Sequence, residues 1–306
     1  MLIYASVLTL VALGGMMSER SGVINLGLEG IMAMGALGGA LTMHFLPEGT
    51  NGAVIFIASL LAAVAVGMIF SLLLAVAAIN FKADQTIVGT AMNMLATALA
   101  TVIVKAINTA QDPNNVSSTV RYIEEKKATI FHIGQFEFSY FIPVAIIALI
   151  AAYVFLYKTR LGLRLMACGE FPQAANSVGI SVFKMRYMGV LVSGLLGGIG
   201  GITYITAGVS EWKFENGVAG FGFLALAVMI FGQWKPFKIA AAALLFGLLR
   251  SLSNVYTGFA PLASLGLGST FYNMLPYIIS LLVLALASGK SRAPKAEGIP
   301  YDKGLR

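Results

Sequence analysis

Two stretches of this chain exclude a water-soluble fold. Residues 54–79, from Val54 to Ile79, carry no charge, and residues 187–210, from Tyr187 to Ser210, carry none either. A helix needs about 20 apolar residues to cross a hydrocarbon core ~30 Å thick at a rise of ~1.5 Å per residue. Both runs exceed that length, and similar ones recur along the chain. Only 11% of residues are charged, where a soluble domain carries about 25%, so there is too little polar surface to keep such helices in water. The pattern predicts an all-α integral membrane protein, a polytopic helical bundle. A membrane β-barrel would show short alternating segments instead.

Nine candidate spans follow from hydropathy, at about residues 1–17, 30–46, 53–79, 85–107, 139–157, 187–207, 217–232, 239–257 and 272–289. Residues 1–289 thus form a single transmembrane domain, and residues 290–306 a tail with two prolines and mixed charge, loose or ordered only on contact. The first span is short, which suggests tilt or partial interfacial placement. It lacks a basic n-region and a clear cleavage site, so it reads as a retained span rather than a signal peptide.

The formal net charge of +7 belongs to short loops. It is therefore a topology signal, and no nucleic-acid partner is expected. One set of loops, with the tail, holds 13 of the 20 basic residues, among them Lys82, Lys158, Arg160, Arg164, Lys184, Arg186, Lys235, Lys238, Lys290 and Arg292, against Asp84, Glu170, Glu297 and Asp302. The opposite set holds Glu48, Asp112, Glu124, Glu125, Glu137, Glu211 and Glu215 against five basic residues. Lysine and arginine accumulate on the cytoplasmic side. Nine spans then place the N-terminus outside and the C-terminus inside. Residues 108–138 become the longest external segment, turn-rich first and strand-like after; it reads equally as a partner contact or a solvated connector.

The stretch Ser18-Glu-Arg-Ser-Gly-Val-Ile-Asn-Leu-Gly-Leu-Glu-Gly30 interrupts this apolar pattern. Glycines at 22, 27 and 30 oppose one continuous helix. Irregular backbone at membrane depth persists only where protein or a wet cavity satisfies it, and interrupted helices of this kind form solute sites in transporters. Asn25 supplies donors and an acceptor, and Glu29 stands at a helix start, where the macrodipole favours an anion. Glu19 and Arg20 read alternatively as a local ion pair. The segment from Gly27 is echoed from Gly217, in GVAGFGFLALAVMIFG; both run Gly-x-x-Gly and then small and apolar residues. One enters the membrane from inside and the other from outside, as in an inverted internal repeat with broken helices.

Other residues carry weaker signals. Gly194/Gly198, Gly197/Gly201 and Gly35/Gly39 have the four-residue spacing of close helix contacts. Asn93 is polar inside a span and reads as a pocket donor or as a helix–helix hydrogen bond. Arg250 should face a cavity, a carbonyl or an acid, or snorkel outward. Phe221 and Phe223 suit base stacking or plain packing. Cys168, the only cysteine, cannot form an intrachain disulfide, and His44 and His132 stand alone at helix ends or in loops, without a metal-ligand cluster.

The inside loop at about 158–186 contains Pro172, suited to a first helical turn, and a short helix ended by Gly179. Ala174 and Ala175 would let another protein approach the backbone closely. Gly169, Ala174, Ala175, Gly179 and Ile180 resemble the coupling loop of ABC importer permeases of the branched-chain amino acid and simple-sugar group. ERSGVINLGLEGIM and ADQTIVGTAMNMLA are similar to nucleoside-type permeases of that group. The resemblance implies a pair of permease subunits, often non-identical, two ATP-binding subunits inside, a substrate-binding lipoprotein outside, uptake of nucleosides, and a home in the bacterial cytoplasmic (inner) membrane. ATP chemistry is not expected in this chain, nor any other cofactor. Ser288-Gly-Lys-Ser291 ends like a phosphate loop but has Leu284 where the first glycine belongs and follows a span rather than a strand.

The expected function is thus a permease subunit that works by alternating access. Asn25, Glu29, Asn93, Phe221 and Phe223 would line the substrate pathway; Gly169, Pro172, Ala174, Ala175, Gly179 and Ile180 would couple to the ATPase. The same machine could carry branched-chain amino acids or ribose. A gradient-driven secondary transporter would need a titratable mid-membrane group, for which Glu29 is thin support. An integral-membrane enzyme would need a nucleophile–base pair or a metal cluster, and no such pattern is seen.

Overall fold

The computed structural model describes residues 1–47, 49–122, 127–134, 136–207, 211–258, 268–287 and 293–303. Glu48, Glu124, Glu125, Lys126 and residues 288–292, with the phosphate-loop lookalike, lie outside the described residues.

The described residues form eleven α-helices and four short strands. The helices are α1 (Leu2–Arg20), α2 (Leu28–Phe45), α3 (Gly52–Ala75, extended by a π turn Val76–Asn80), α4 (Gln85–Gln111), α5 (Phe141–Lys158), α6 (Arg160–Glu170), α7 (Pro172–Ser177), α8 (Val182–Ile205), α9 (Phe221–Phe231), α10 (Pro236–Val255) and α11 (Ser269–Ala287). Each of the nine expected spans has its helix. Seven segments are long and apolar enough to cross a membrane, including the continuous Phe214–Phe231 that contains α9. The other two spans are α2, which carries Glu29 and His44, and α11. Helix starts follow capping chemistry. Asp84 accepts from Thr86 N and Ile87 N, Asn51 from Ala53 N and Thr159 from Gly162 N, which satisfies amides that have no partner within the helix.

The bundle is organised around α8, which packs on α1, α2 and α3. The first helix is central: every residue from Ala5 to Glu19 is buried between α8, α9, α10 and α5. Hydropathy alone does not separate a helix facing lipid from one facing other helices. The outer positions belong to α3, α4 and α5, whose Leu61, Ile69, Met94, Val102, Ile147 and Ile150 are exposed, a surface suited to a lipid bilayer.

Glycine permits the close packing of α8. A Cβ on Gly198 would collide with the Ala63 carbonyl, one on Gly35 with Gly198 itself, and one on Gly201 with the Met32 carbonyl. The obstacles are backbone atoms, which cannot rotate away. The four-residue glycine spacing thus marks three-way contact among α2, α3 and α8.

Small sheets lie on one side. Strand β1 (Thr119–Arg121) pairs antiparallel with β4 (Glu211–Lys213), tied by Arg121 to Glu211 at 3.1 Å, and β2 (Ile130–Ile133) pairs with β3 (Phe136–Ser139). His44 lies in the last turn of α2 with Nδ1 3.3 Å from the Arg121 carbonyl. His132 is on β2, 3.4 Å from Glu137. Among the described residues no group of His, Cys, Asp or Glu is arranged to hold a metal.

Replacing Gly198 with Leu should destabilise the protein by more than the ~1–3 kcal/mol typical of overpacking, because backbone atoms must move. Thermal unfolding of the purified protein in detergent checks this, with Gly258→Leu as a comparison for an exposed glycine whose surroundings are open.

Candidate functional site

The break between α1 and α2 is buried. Ser21, Gly22, Val23, Asn25 and Gly27 are all shielded from solvent. Its polar backbone is satisfied by the protein. Ser18 Oγ donates to the Val23 carbonyl at 2.7 Å, and Ile24 N donates to Gln85 Oε1 at 2.6 Å. Asn25 accepts from Gly27 N at 3.1 Å and donates to Ser193 Oγ at 2.8 Å. Asn93, on α4, accepts from Gly30 N at 2.8 Å and donates to the Leu26 carbonyl at 2.9 Å. Both amides hold the interrupted backbone in place and form part of its scaffold.

Glu29 brings together the two echoed glycine stretches. Its Oε1 accepts from Gly220 N at 2.8 Å and its Oε2 from Gly222 N at 2.7 Å. The first amides of a helix have no internal partner, and a carboxylate there also meets the positive end of the helix dipole. Glu29 therefore caps α9 while lying in the first turn of α2. The turn before α9 exposes these amides through left-handed backbone at Gly217 (φ 55°) and Gly220 (φ 79°), where glycine escapes the Cβ penalty. At the other end of α9, Trp234 Nε1 donates to Glu19 Oε2 at 2.6 Å, and Arg20 donates to the Trp234 carbonyl at 3.0 Å. Glu19 and Arg20 thus both engage Trp234, and Arg20 also lies 3.9 Å from Glu170. The four polar residues of the opening stretch grip α9 at both ends or secure the break that does so.

Beside this junction lies a cavity of about 550 Å³, lined by Tyr4, Tyr204, Trp212, Asn216, Arg250 and Asn254 with two alanines. Its volume falls in the ~300–1,000 Å³ range of small-molecule sites. Phe221 is buried next to it, 4.3 Å from the Tyr204 ring centre, with the Arg250 guanidinium 5.4 Å from its own ring centre. Phe223 is half exposed and does not line the cavity. Tyr4, Tyr204, Trp212, Asn216 and Asn254 are absent from the sequence-derived candidates. Tyrosine and tryptophan at span ends ordinarily read as interfacial anchors, and only the fold turns these toward one another.

On the opposite side, α6 and α7 form a compact knuckle. Pro172 opens α7, and Gly179 follows it at φ 83°. Ala174, Phe171 and Val178 are exposed, while Ala175 packs with Cys168, Val182 and Tyr301. Ile180 is half buried and packs against the same cluster. A Cβ on Gly169 would strike the Arg20 carbonyl, so the knuckle touches the helix break directly. The described part of the tail is ordered on this surface. Ala296 N donates to the Gly169 carbonyl at 2.8 Å, Gly298 N to the Gly22 carbonyl at 3.3 Å, and Lys82 pairs with Asp302 at 2.6 Å. Burial, partly opposed by Arg186, pushes the Cys168 thiol up to about 11.

Buried helices, two helix starts meeting on a carboxylate, and a cavity against them form a site within a helical bundle of membrane-spanning length. The family model for the branched-chain amino acid transport system, permease component, matches residues 1–287. The chain belongs to that family: it is a multi-pass permease of the cytoplasmic membrane, a transport component and not an enzyme. It is 42% identical to the guanosine ABC transporter permease protein NupQ of Bacillus subtilis, over 100% of this chain and 96% of the relative. It is 40% identical to the nucleoside ABC transporter permease protein NupC of Lactococcus lactis, over 99% and 95%. A second Lactococcus lactis chain, the nucleoside ABC transporter permease protein NupB, is 33% identical over 35% of this chain and 30% of its own length. No solved structure matches.

Two outcomes are expected. Glu29→Gln keeps one acceptor but turns an N–H₂ toward the second amide; the unmet donors should cost about 1–3 kcal/mol, seen as a lower unfolding temperature and strongly reduced uptake. Cys168 should resist maleimide. With a pKa of about 11, its thiolate fraction at pH 8 is on the order of 10⁻³, against roughly a quarter for a free cysteine. Tyr301→Ala should loosen the tail and speed labelling, followed by mass spectrometry.

Proposed function

We propose that this chain is the membrane-spanning permease subunit of an ATP-driven ABC importer of nucleosides. The observation that carries this reading is near-full-length identity of 40% or more to two permeases named for guanosine and nucleosides. The N-terminus lies outside and the C-terminus inside, as the distribution of lysine and arginine favours. Asn25, Glu29 and Asn93 hold the two helix starts beside the substrate pathway, and Phe221 flanks it next to Tyr204 and Arg250. Gly169, Pro172, Ala174, Ala175, Gly179 and Ile180 form the seat of a separate ATP-binding subunit. The similarity of this chain to two Lactococcus lactis permeases, NupC and NupB, favours a non-identical second permease as partner. A substrate-binding lipoprotein delivers the nucleoside to the face carrying the short sheets.

Alternating access follows from this arrangement. The knuckle abuts the Arg20 and Gly22 backbone, and α9 is gripped at both ends by residues around that break. A push on the knuckle reaches α9 without passing through a soft linker.

Ala174→Arg, on the exposed face of α7, should abolish both transport and stimulation of the ATPase by loaded binding protein. Survival of both would remove the docking role. Guanosine, but not ribose or leucine, should compete for binding to the partner lipoprotein; leucine or ribose competing instead would reassign the cargo.

A further inference from the structure

The cavity next to the α2–α9 junction suggests more than passage. We propose that it is a purine-recognition port, in which the base stacks on Trp212, meets Tyr204 at its edge and turns its acceptor edge toward Arg250. This rests on the reading of the chain as a nucleoside permease.

The location suits an entry port. Tyr4 opens α1, Tyr204 closes α8 and Asn254 lies near the end of α10, whereas the knuckle meets the other end of α1. The walls are rigid. Trp212 is anchored by its Nε1 donating to the Gly217 carbonyl at 2.8 Å, and it meets Tyr204 edge to face at 5.3 Å. It is half-buried and lines the cavity, and an aromatic face accepts a stacked base. Asn216 and Asn254 are exposed amides able to both donate and accept. Arg250, fixed over Phe221, has the fork geometry that matches the two adjacent acceptors, O6 and N7, of guanine.

The lining disfavours a branched-chain amino acid. A zwitterionic amino acid needs an anionic partner for its ammonium group. Among the described residues lining the cavity there is a guanidinium and no carboxylate. Glu29, close by, is already engaged by two backbone amides.

The test uses the complete transporter in proteoliposomes, with guanosine and cytidine as paired substrates. Trp212→Ala should cut guanosine uptake at sub-saturating concentration about tenfold, as loss of one base stack implies for binding, and should cut cytidine, with its smaller ring, less. Trp212→Phe should restore guanosine to within about threefold of wild type. An equal fall for both substrates would mark a structural role and overturn the proposal. Photolabelling of the wild-type complex with 8-azidoguanosine decides the matter should Trp212→Ala fail to fold. Label in the peptide spanning residues 204–216 supports the port, and label confined elsewhere overturns it. Wild-type vesicles that carry neither nucleoside would defeat the functional reading itself, a result distinct from any of these.

Discussion

The structure turns on one carboxylate. Glu29 accepts from Gly220 N and Gly222 N, and so joins the start of α2 to the start of α9. An eleven-residue helix such as α9 is only about 16 Å long, roughly half a hydrocarbon core. Its first amides have no partner within the helix, and an orphan in a buried place costs about 1–3 kcal/mol. A neutral acceptor would meet one amide. A carboxylate meets both and matches the sign of the dipole.

Most of the remaining polar residues near the centre serve that contact. Asn93 fixes Gly30 and Leu26, on either side of the residues that aim Glu29. Asn25 closes a turn on Gly27 and ties it to α8 through Ser193. Gly222 must lack a side chain, since a Cβ would meet the Glu29 backbone. These groups are hydrogen-bonded within the chain, and their contacts hold the geometry of the junction. The cavity residues differ. Asn216, Asn254 and half of Trp212 face open space.

The bundle was largely legible from hydropathy, because nine apolar stretches predict helices and each has one, seven of them among the described residues long and apolar enough to cross a membrane. The helix break was legible because glycines and charges have no other business between two such stretches. Three things were not. The central place of α1 was hidden because Leu10 and Leu13 look the same whether they face α8 or lipid. The partners of Glu19 and Arg20 were hidden because Trp234 lies more than 200 residues away. The cavity was hidden because its rings come from α1, from the end of α8 and from β4, segments that meet only in the folded chain. A short-range pattern cannot express a contact between Tyr4 and Asn254.

The same distinction explains how a small surface could govern a deep one. Ala174 is exposed, and Ala175 beside it packs on Cys168. Gly169, next to Cys168, abuts the Arg20 carbonyl, and Arg20 holds Trp234 at the end of α9. Every step is a packed or hydrogen-bonded contact, with no long flexible connection between α7 and α9. The tail adds to this stiffness by bonding to Gly169 and Gly22 together. Packed interfaces tend to switch between discrete arrangements rather than deform smoothly. A displacement of α7 should therefore move α9 as a unit, pivoting on Glu29, and the cavity beside Phe221 would change shape with it.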